Sequence, residues 1–382
     1  MIRCRGCRSR VLAPVLDLGR VPAQDFFPPA ADPVAPEESS HPLAMVLCTA
    51  CGLAQLADDD TATDEPTTDE PRGVEPRALQ HQAADAVARV AAAHLLRGST
   101  VREFGSPHGG SWLPLLAERG FAPAEVADVV LDTFGLMHES DQRNAFTRRA
   151  LATAKGGVLL IQYHSLATIV GKSQWNALRH GHYAYYSMTA LLALLKQVGM
   201  SAVDAWEFDL YGGTVLVAAR HGNVAPPTSV HRILAGEKAI TDPATVGRLQ
   251  QAADAHRRRL REWLELQAVQ GRRVFAYGAA SRAVALFALT GVTSRLIAAV
   301  ADASPTKQGR RMPGTDVPII APDDLLAAEP DWVLLTVGDL LAEVAATYPQ
   351  LTGRWVGDDR FMTSELTNIP APQQLYREES RI

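Results

Sequence analysis

No stretch of this 382-residue chain approaches the roughly 18–20 consecutive apolar residues that a membrane-spanning helix needs. It also lacks an excess of positive charge: 37 lysines and arginines against 42 acids give a formal charge of −5, which offers no surface for nucleic acid. Cysteine is scarce, four in all, so a disulfide-stapled secreted scaffold is excluded. The first residues are basic but carry no continuous apolar core and no small-residue cleavage site, so they do not read as a secretion signal. With 47% hydrophobic and 21% charged residues the chain is neither fibrous nor grossly disordered. What remains is a cytoplasmic protein too long for one small core, and two or three domains are expected.

The four cysteines form two pairs of the same spacing, Cys4 with Cys7 and Cys48 with Cys51, with Gly6 and Gly52 supplying the tight turns. Four thiolates in two such knuckles are the ligand set of a closed, structural zinc site. No open ligand position remains, so this zinc holds structure and does no chemistry. The 40 residues between the pairs carry Pro22, Pro28, Pro29, Pro33 and Pro36, and this long loop is expected to wrap a neighbouring domain. An acidic Thr/Pro-rich stretch follows Cys51 and reads as a linker. Beyond it, residues 78–96 are alanine-rich with apolar positions at helical spacing. Gln80, His81 and Asp85 lie on that helix, and Asp85 is a candidate general base for an amine.

A short strand ending at Glu103, Phe104 and Gly105 runs into Ser106, Pro107, His108, Gly109 and Gly110, and a helix begins near Trp112. Strand, Gly-rich turn and helix converge backbone N–H groups and a positive helix end on one point, which suits an anion or a nucleotide. The Gly109 and Gly110 amides, with Ser106 and His108, are candidate oxyanion ligands.

Glu103, Gly105 and Gly109 together resemble the first motif of class I S-adenosylmethionine methyltransferases. The zinc module in front, and residues 271–292 and 300–325 behind, extend the resemblance to the sugar C-methyltransferases of antibiotic deoxysugar pathways. The resemblance implies an α/β protein in three parts: an N-terminal zinc-binding module with its acidic linker (1–75), a class I methyltransferase-like Rossmann core (76–225) and a C-terminal Rossmann-like domain (226–382). It also implies S-adenosylmethionine at the Gly-rich turn, and Gly278, Asp302, Lys307 and Arg310 on the nucleotide-sugar side of the site.

The core is expected to be truncated. The next buried strand, 127–134, resembles the fourth strand of the family's sheet. Once the helix after the glycines is laid down, only residues 121–126 remain before it. A strand needs about 5–6 residues and a helix about 11–12, so the second strand, its helix and the third strand do not fit. Those strands supply the family's ribose and adenine contacts, which makes S-adenosylmethionine binding doubtful here. A sheet missing two strands also exposes an edge that the chain or a partner protein must cover.

Chemistry-bearing residues cluster further on. Tyr163 and His164 end a strand at the side of the sheet where ligands bind. The stretch from Trp175 to Tyr186 holds Arg179, His180, His182 and three tyrosines, and Arg179 with either histidine suits an anionic substrate group. His182 matches the family's basic histidine, while Gly181 stands where the resemblance places a glutamate that orients it. Tyr211, Gly212, Gly213 and Thr214 read as a hairpin turn or a close approach to a ligand. The arginines at 248, 257, 258, 259 and 261 read as a solvated helix face.

Three functions are compatible with these residues. One is an intramolecular substitution on a methyltransferase scaffold without S-adenosylmethionine, in which an amine closes a strained ring by expelling an anionic group such as sulfate. Aziridine-forming methyltransferase-like subunits resemble it in this respect. Another is S-adenosylmethionine-dependent C-methylation of a nucleotide sugar or related metabolite. The third is a non-catalytic scaffold for a partner enzyme. Which of His108, Asp85 and His182 serves as base stays open at this point.

Overall fold

The computed structural model describes residues 2–61, 77–107 and 110–362. Its N-terminal sheet is an antiparallel meander of β1 (Leu12–Val21), β2 (His41–Cys48) and β3 (Ala54–Leu56). A fourth strand, β8 (Ala184–Tyr185), joins it from far along the chain and pairs with Ala54 and Gln55. The zinc module is thereby stitched to the stretch that holds Arg179, His180 and His182.

The central sheet has six strands: β4 (Thr100–Phe104), β5 (Ala122–Pro123), β6 (Ala127–Thr133), β7 (Thr153–His164), β9 (Met200–Phe208) and β10 (Thr214–His221). They lie in the order β5-β4-β6-β7-β10-β9, with β10 antiparallel to both its neighbours. Alternation splits the strand residues between two layers. Val101, Val129, Leu131 and Leu160 pack on one face under α1 (Arg77–Ala92) and α2 (Leu113–Ala117). Val130, Ile161 and Tyr163 pack on the other, under α3 (Gln142–Ala152) and α5 (Met188–Gln197); α4 (Leu166–Gly171) follows β7 directly. The first helix ends earlier than its alanine-rich sequence suggests, because His94 turns left-handed at φ 55°.

The truncation takes a definite form. Where a full sheet would continue with two more strands, β5 contributes two residues, paired with Thr100 and Val101 only. A two-residue strand needs no side-chain pattern, which is why residues 121–126 show none.

The C-terminal sheet is wholly parallel, in the order β13-β12-β11-β14-β15, built from β11 (Val274–Tyr277), β12 (Val300–Ala301), β13 (Ile319–Ile320), β14 (Trp332–Leu335) and β15 (Trp355–Gly357). It is approached through α6 (Thr228–Gly236), α7 (Pro243–Val246) and the 22-residue α8 (Arg248–Val269), and α9 (Ser281–Thr290) follows β11. One stripe of α8, including Leu249, Ala253, His256, Leu260 and Trp263, is buried, while Arg248, Arg257 and Arg258 face solvent.

The proline-rich loop does wrap the C-terminal sheet. Arg311, almost fully buried, forms an ion pair with Glu38 at 2.5 Å, Arg310 Nη1 donates to the Phe27 carbonyl at 2.7 Å, and the Ala30 amide donates to Gly309. Lys307 and Arg310 are thus engaged in holding the fold: Lys307 Nζ donates to the Ala279 carbonyl at 2.6 Å. Among the described residues no helix is long and apolar enough to cross a membrane.

Candidate functional site

The sulfurs of Cys4, Cys7, Cys48 and Cys51 all lie within 4.8 Å of one another, with Cys4–Cys51 and Cys7–Cys48 at 3.6 Å. Tetrahedral zinc–thiolate bonds of about 2.3 Å place sulfurs about 3.8 Å apart, so the cluster fits the metal. Zinc bound here would supply a structural cross-link between the two knuckles.

A cavity of about 190 Å³ lies between the central sheet and the C-terminal unit. Ser106, His164, Arg179 and His182 line it, as do Phe134, Met137, Gln174, Asn176, Tyr211 and Arg282. Ser106, His164, Arg179, His182 and Tyr211, all singled out from sequence, thus converge there. Among the described lining residues none is a carboxylate, while two are guanidinium groups. Arg179 Nη1 donates to Ser281 Oγ at 2.9 Å, and its Nε is buried with no hydrogen-bond partner. Burial and then the neighbouring Arg282 charge lower the Arg179 pKa, so an anion entering the cavity would relieve both.

The remaining walls are fixed from several elements. Tyr185 OH accepts the Arg179 amide at 3.0 Å and donates to the Ala177 carbonyl at 3.2 Å, closing the loop before β8. His164 Nε2 donates to Gln174 Oε1 at 3.1 Å, and Gln174 Nε2 donates to the Tyr211 carbonyl. Burial, followed by Arg282, pulls the His164 pKa down to about 4, so the imidazole is neutral near pH 7 with its lone pair on Nδ1. Phe134 and Tyr211, at φ 64° and 53°, meet edge to face with ring centres 5.8 Å apart. Left-handed backbone is costly for aromatic residues and gathers at functional sites.

The Gly-rich turn is closed by its own strand. Glu103 accepts Ser111 Oγ at 2.5 Å and the Trp112 amide at 2.8 Å. The stub β5 stands beside the start of β4 and not its carboxyl end. The nearby acid Glu125 is exposed and bound to Arg102 at 3.2 Å. The described residues on the stub side therefore lack the second-strand acid that the resemblance implies for the ribose. His108 and Gly109 lie outside the described residues; Gly105 and Gly110 are in the turn but do not line the cavity.

Other sequence-based candidates fall elsewhere. Tyr163 points to the opposite face of β7, where it is 3% exposed and packs on Tyr186. His180 turns towards the zinc module: its Nε2 donates to the Pro42 carbonyl and its amide to Gln24 Oε1. Asp85 is on the solvent side of α1 in an ion pair with Arg89 at 2.7 Å, and His81 is exposed on the same helix. Asp302 is occupied by the Ala279 amide at 2.7 Å. Sequence reasoning missed Arg282, Gln174, Asn176 and His138. Arg282 was legible as the residue just inside a helix after a glycine turn, but its approach to Arg179 depends on how two sheets dock.

Comparison with known proteins agrees with this architecture. Residues 4–63 match a zinc binding domain family, and residues 209–357 match the C-methyltransferase C-terminal domain family. The C-methyltransferase NovU of Streptomyces niveus is 27% identical over 197 residues, covering 50% of this chain and 46% of that protein. The match thus spans about half the length of that relative. Similar solved structures include the Burkholderia thailandensis 1,6-didemethyltoxoflavin-N1-methyltransferase (14% identity, 37% of this chain and 79% of that one, TM-score 0.30). Another is the magnesium protoporphyrin IX methyltransferase of Synechocystis PCC 6803 (15% identity, 38% and 84%, TM-score 0.31). The chain is thus similar to a C-methyltransferase, with a zinc binding domain matched at its front and a C-methyltransferase C-terminal domain at its back.

Proposed function

We propose that this is a cytoplasmic, methyltransferase-like enzyme of specialised-metabolite biosynthesis that performs an intramolecular nucleophilic substitution without S-adenosylmethionine. The observation that carries this reading is the pairing of a stub, β5, beside the Gly-rich turn with a cavity lined by two guanidinium groups and no described carboxylate. Methyl transfer is an in-line substitution at carbon, and the same geometry serves a ring closure within one substrate. The amine nitrogen attacks a carbon bearing an anionic group such as sulfate. The C–N bond forms, the C–O bond breaks and the electron pair leaves with the oxyanion. Arg179 and Arg282 receive that oxyanion, with Ser106 at the same cavity wall. His182, 3% exposed and lining the cavity, takes the amine proton. Holding both reacting atoms in one small cavity supplies the orientation that closing a strained ring demands, and the fixed cations act where charge develops. An aziridine is the product class this chemistry suits.

Calorimetric titration of the zinc-loaded protein with S-adenosylmethionine and S-adenosylhomocysteine tests the reading. No binding up to millimolar ligand is expected. Micromolar binding would replace it with S-adenosylmethionine-dependent C-methylation of a nucleotide sugar or related metabolite.

The open edge of β4 beyond the stub is where we place a partner protein. A chain that stays monomeric and fully active alone would remove that partner.

A further inference from the structure

We infer that Asp59, at the end of the zinc module, is a positioning residue for His182, acting through the Gly181 peptide. This peptide is clamped on both sides. Asp59 Oδ2 accepts the Gly181 amide at 2.8 Å, and His138 Nδ1 donates to the Gly181 carbonyl at 3.0 Å. The His138 ring then meets His182 edge to face with centres 4.5 Å apart. The two bonds come from different parts of the fold: Asp59 follows β3 of the zinc-module sheet, and His138 follows β6 of the central sheet. Their common target is the residue immediately before His182.

The neighbouring contacts show why this clamp determines position. Gly181 has φ 72°, a conformation that an L-residue resists. No atom lies within 4 Å of where its Cβ would stand, so the backbone and not crowding selects glycine here. A glycine in that conformation is free to leave it, and besides the two bonds this turn is held by the His182 amide, which donates to the Arg179 carbonyl at 3.3 Å. On the far side of His182 the chain is tied by the Tyr183 amide to the Met137 carbonyl at 2.7 Å. Asp59 is itself fixed: Thr61 donates to its Oδ1 from both the amide and the hydroxyl, at 3.0 and 2.6 Å. Burial raises its pKa, but the Thr61 hydroxyl and the Gly181 and Thr61 amides outweigh that, and the net shift is downward. Asp59 is therefore an ionised acceptor at neutral pH. Loss of a hydrogen bond to a charged group would lower the population of the held conformation by about tenfold or more.

The inference shares with the proposed function the view that His182 acts in the cavity, but its test does not depend on the reaction. The protein is the full chain with zinc bound, and the probe is the His182 ring C–H resonance in a proton–carbon NMR spectrum. That signal is identified by its disappearance in His182→Gln. In Asp59→Ala the signal is expected to split or broaden, with the Gly181 amide exchanging about tenfold faster. Asp59→Asn, whose side-chain oxygen still accepts the amide, should restore both. An unchanged His182 signal in Asp59→Ala would overturn the inference. Should Asp59→Ala fail to fold or lose its zinc, the wild-type protein still decides: a Gly181 amide exchanging as fast as a free one also overturns it, and a protected one supports it. His182→Gln that keeps full turnover would sink the proposed chemistry while leaving the positioning intact.

Discussion

Two strand–turn–helix units in this chain start from the same sequence pattern and end differently. After β4, the Gly-rich turn has β6 on one side and only a two-residue stub on the other, and its helix α2 is five residues long. After β11, the turn at Gly278 lies between β14 and β12, which is as short as the stub but pairs with Ala276 and Tyr277 at the strand's carboxyl end, and its helix α9 runs for ten residues. In the second unit the neighbouring strand supplies an acid, Asp302, which accepts the Ala279 and Ser304 amides at 2.7 and 2.8 Å. In the first no neighbouring strand reaches that far, and the turn is closed by Glu103 from its own strand. One unit receives no acid from a neighbouring strand among the described residues, and the other receives one but binds it to its own loop. An acid near a Gly-rich turn therefore says little about a cofactor until its hydrogen-bond partners are known.

The largest effect should come from the second turn. Asp302→Ala orphans two amides and removes the carboxylate 3.7 Å from Lys307, which keeps its bond to the Ala279 carbonyl. A loss of about 2–3 kcal/mol is expected from groups of this kind, read as a shift in the denaturation midpoint at unchanged slope. Asp302→Asn should recover much of it. A null result for Asp302→Ala would mean that the loop is held by packing alone.

The second turn also acts on the cavity through charge. Arg282, just after the second turn, is the second cause of the low His164 pKa, after burial. Arg282→Gln should raise that pKa from about 4 part of the way towards the ordinary value near 6.5, measured by the pH titration of the His164 ring signal. The sign carries over to stability. Below about 6.5 the unfolded chain takes up a proton at this histidine while the folded one does not, so stability falls as the pH drops towards 4. His164→Gln should flatten that part of the profile. His256, buried and lowered to about 3 mainly by burial, acts in the same direction and would remain.

For the first turn a smaller loss is expected. Glu103→Ala removes an acceptor that works like a helix cap, worth about 1 kcal/mol, and Glu103→Gln should be nearly silent. A Glu103→Ala change that left stability untouched would break the comparison, since the turn would then not depend on its own strand for closure.

How far these differences could be read in advance depends on how local they are. The zinc ligands were legible because two short spacings fix four thiolates. The missing strands were legible because six residues cannot hold them, yet the stub itself was not, since backbone pairing of Ala122 and Pro123 leaves no pattern. The wrapping loop was legible from its prolines. β8 was not: two residues of the Arg/His/Tyr stretch join a sheet made about 130 positions earlier in the chain. The cavity was half legible. Arg179 and His182 advertise themselves by type, whereas Arg282, His138 and Asp59 gain their meaning only when three sheets come together.

The smallest expected effect concerns an acid outside both turns. Asp85 sits about half exposed on α1 and pairs with Arg89 one helical turn on. Exposed pairs of this kind contribute about 0.3–0.5 kcal/mol, so Asp85→Asn should leave the melting temperature almost unmoved. Its effect on turnover separates two bases. Asp85 does not line the cavity, whereas His182 does. If His182 takes the amine proton, Asp85→Asn keeps turnover within about twofold and His182→Gln abolishes it. The opposite pattern would require α1 to turn its solvent face inwards when substrate binds, and would move the base from the zinc-module side of the cavity to the helix.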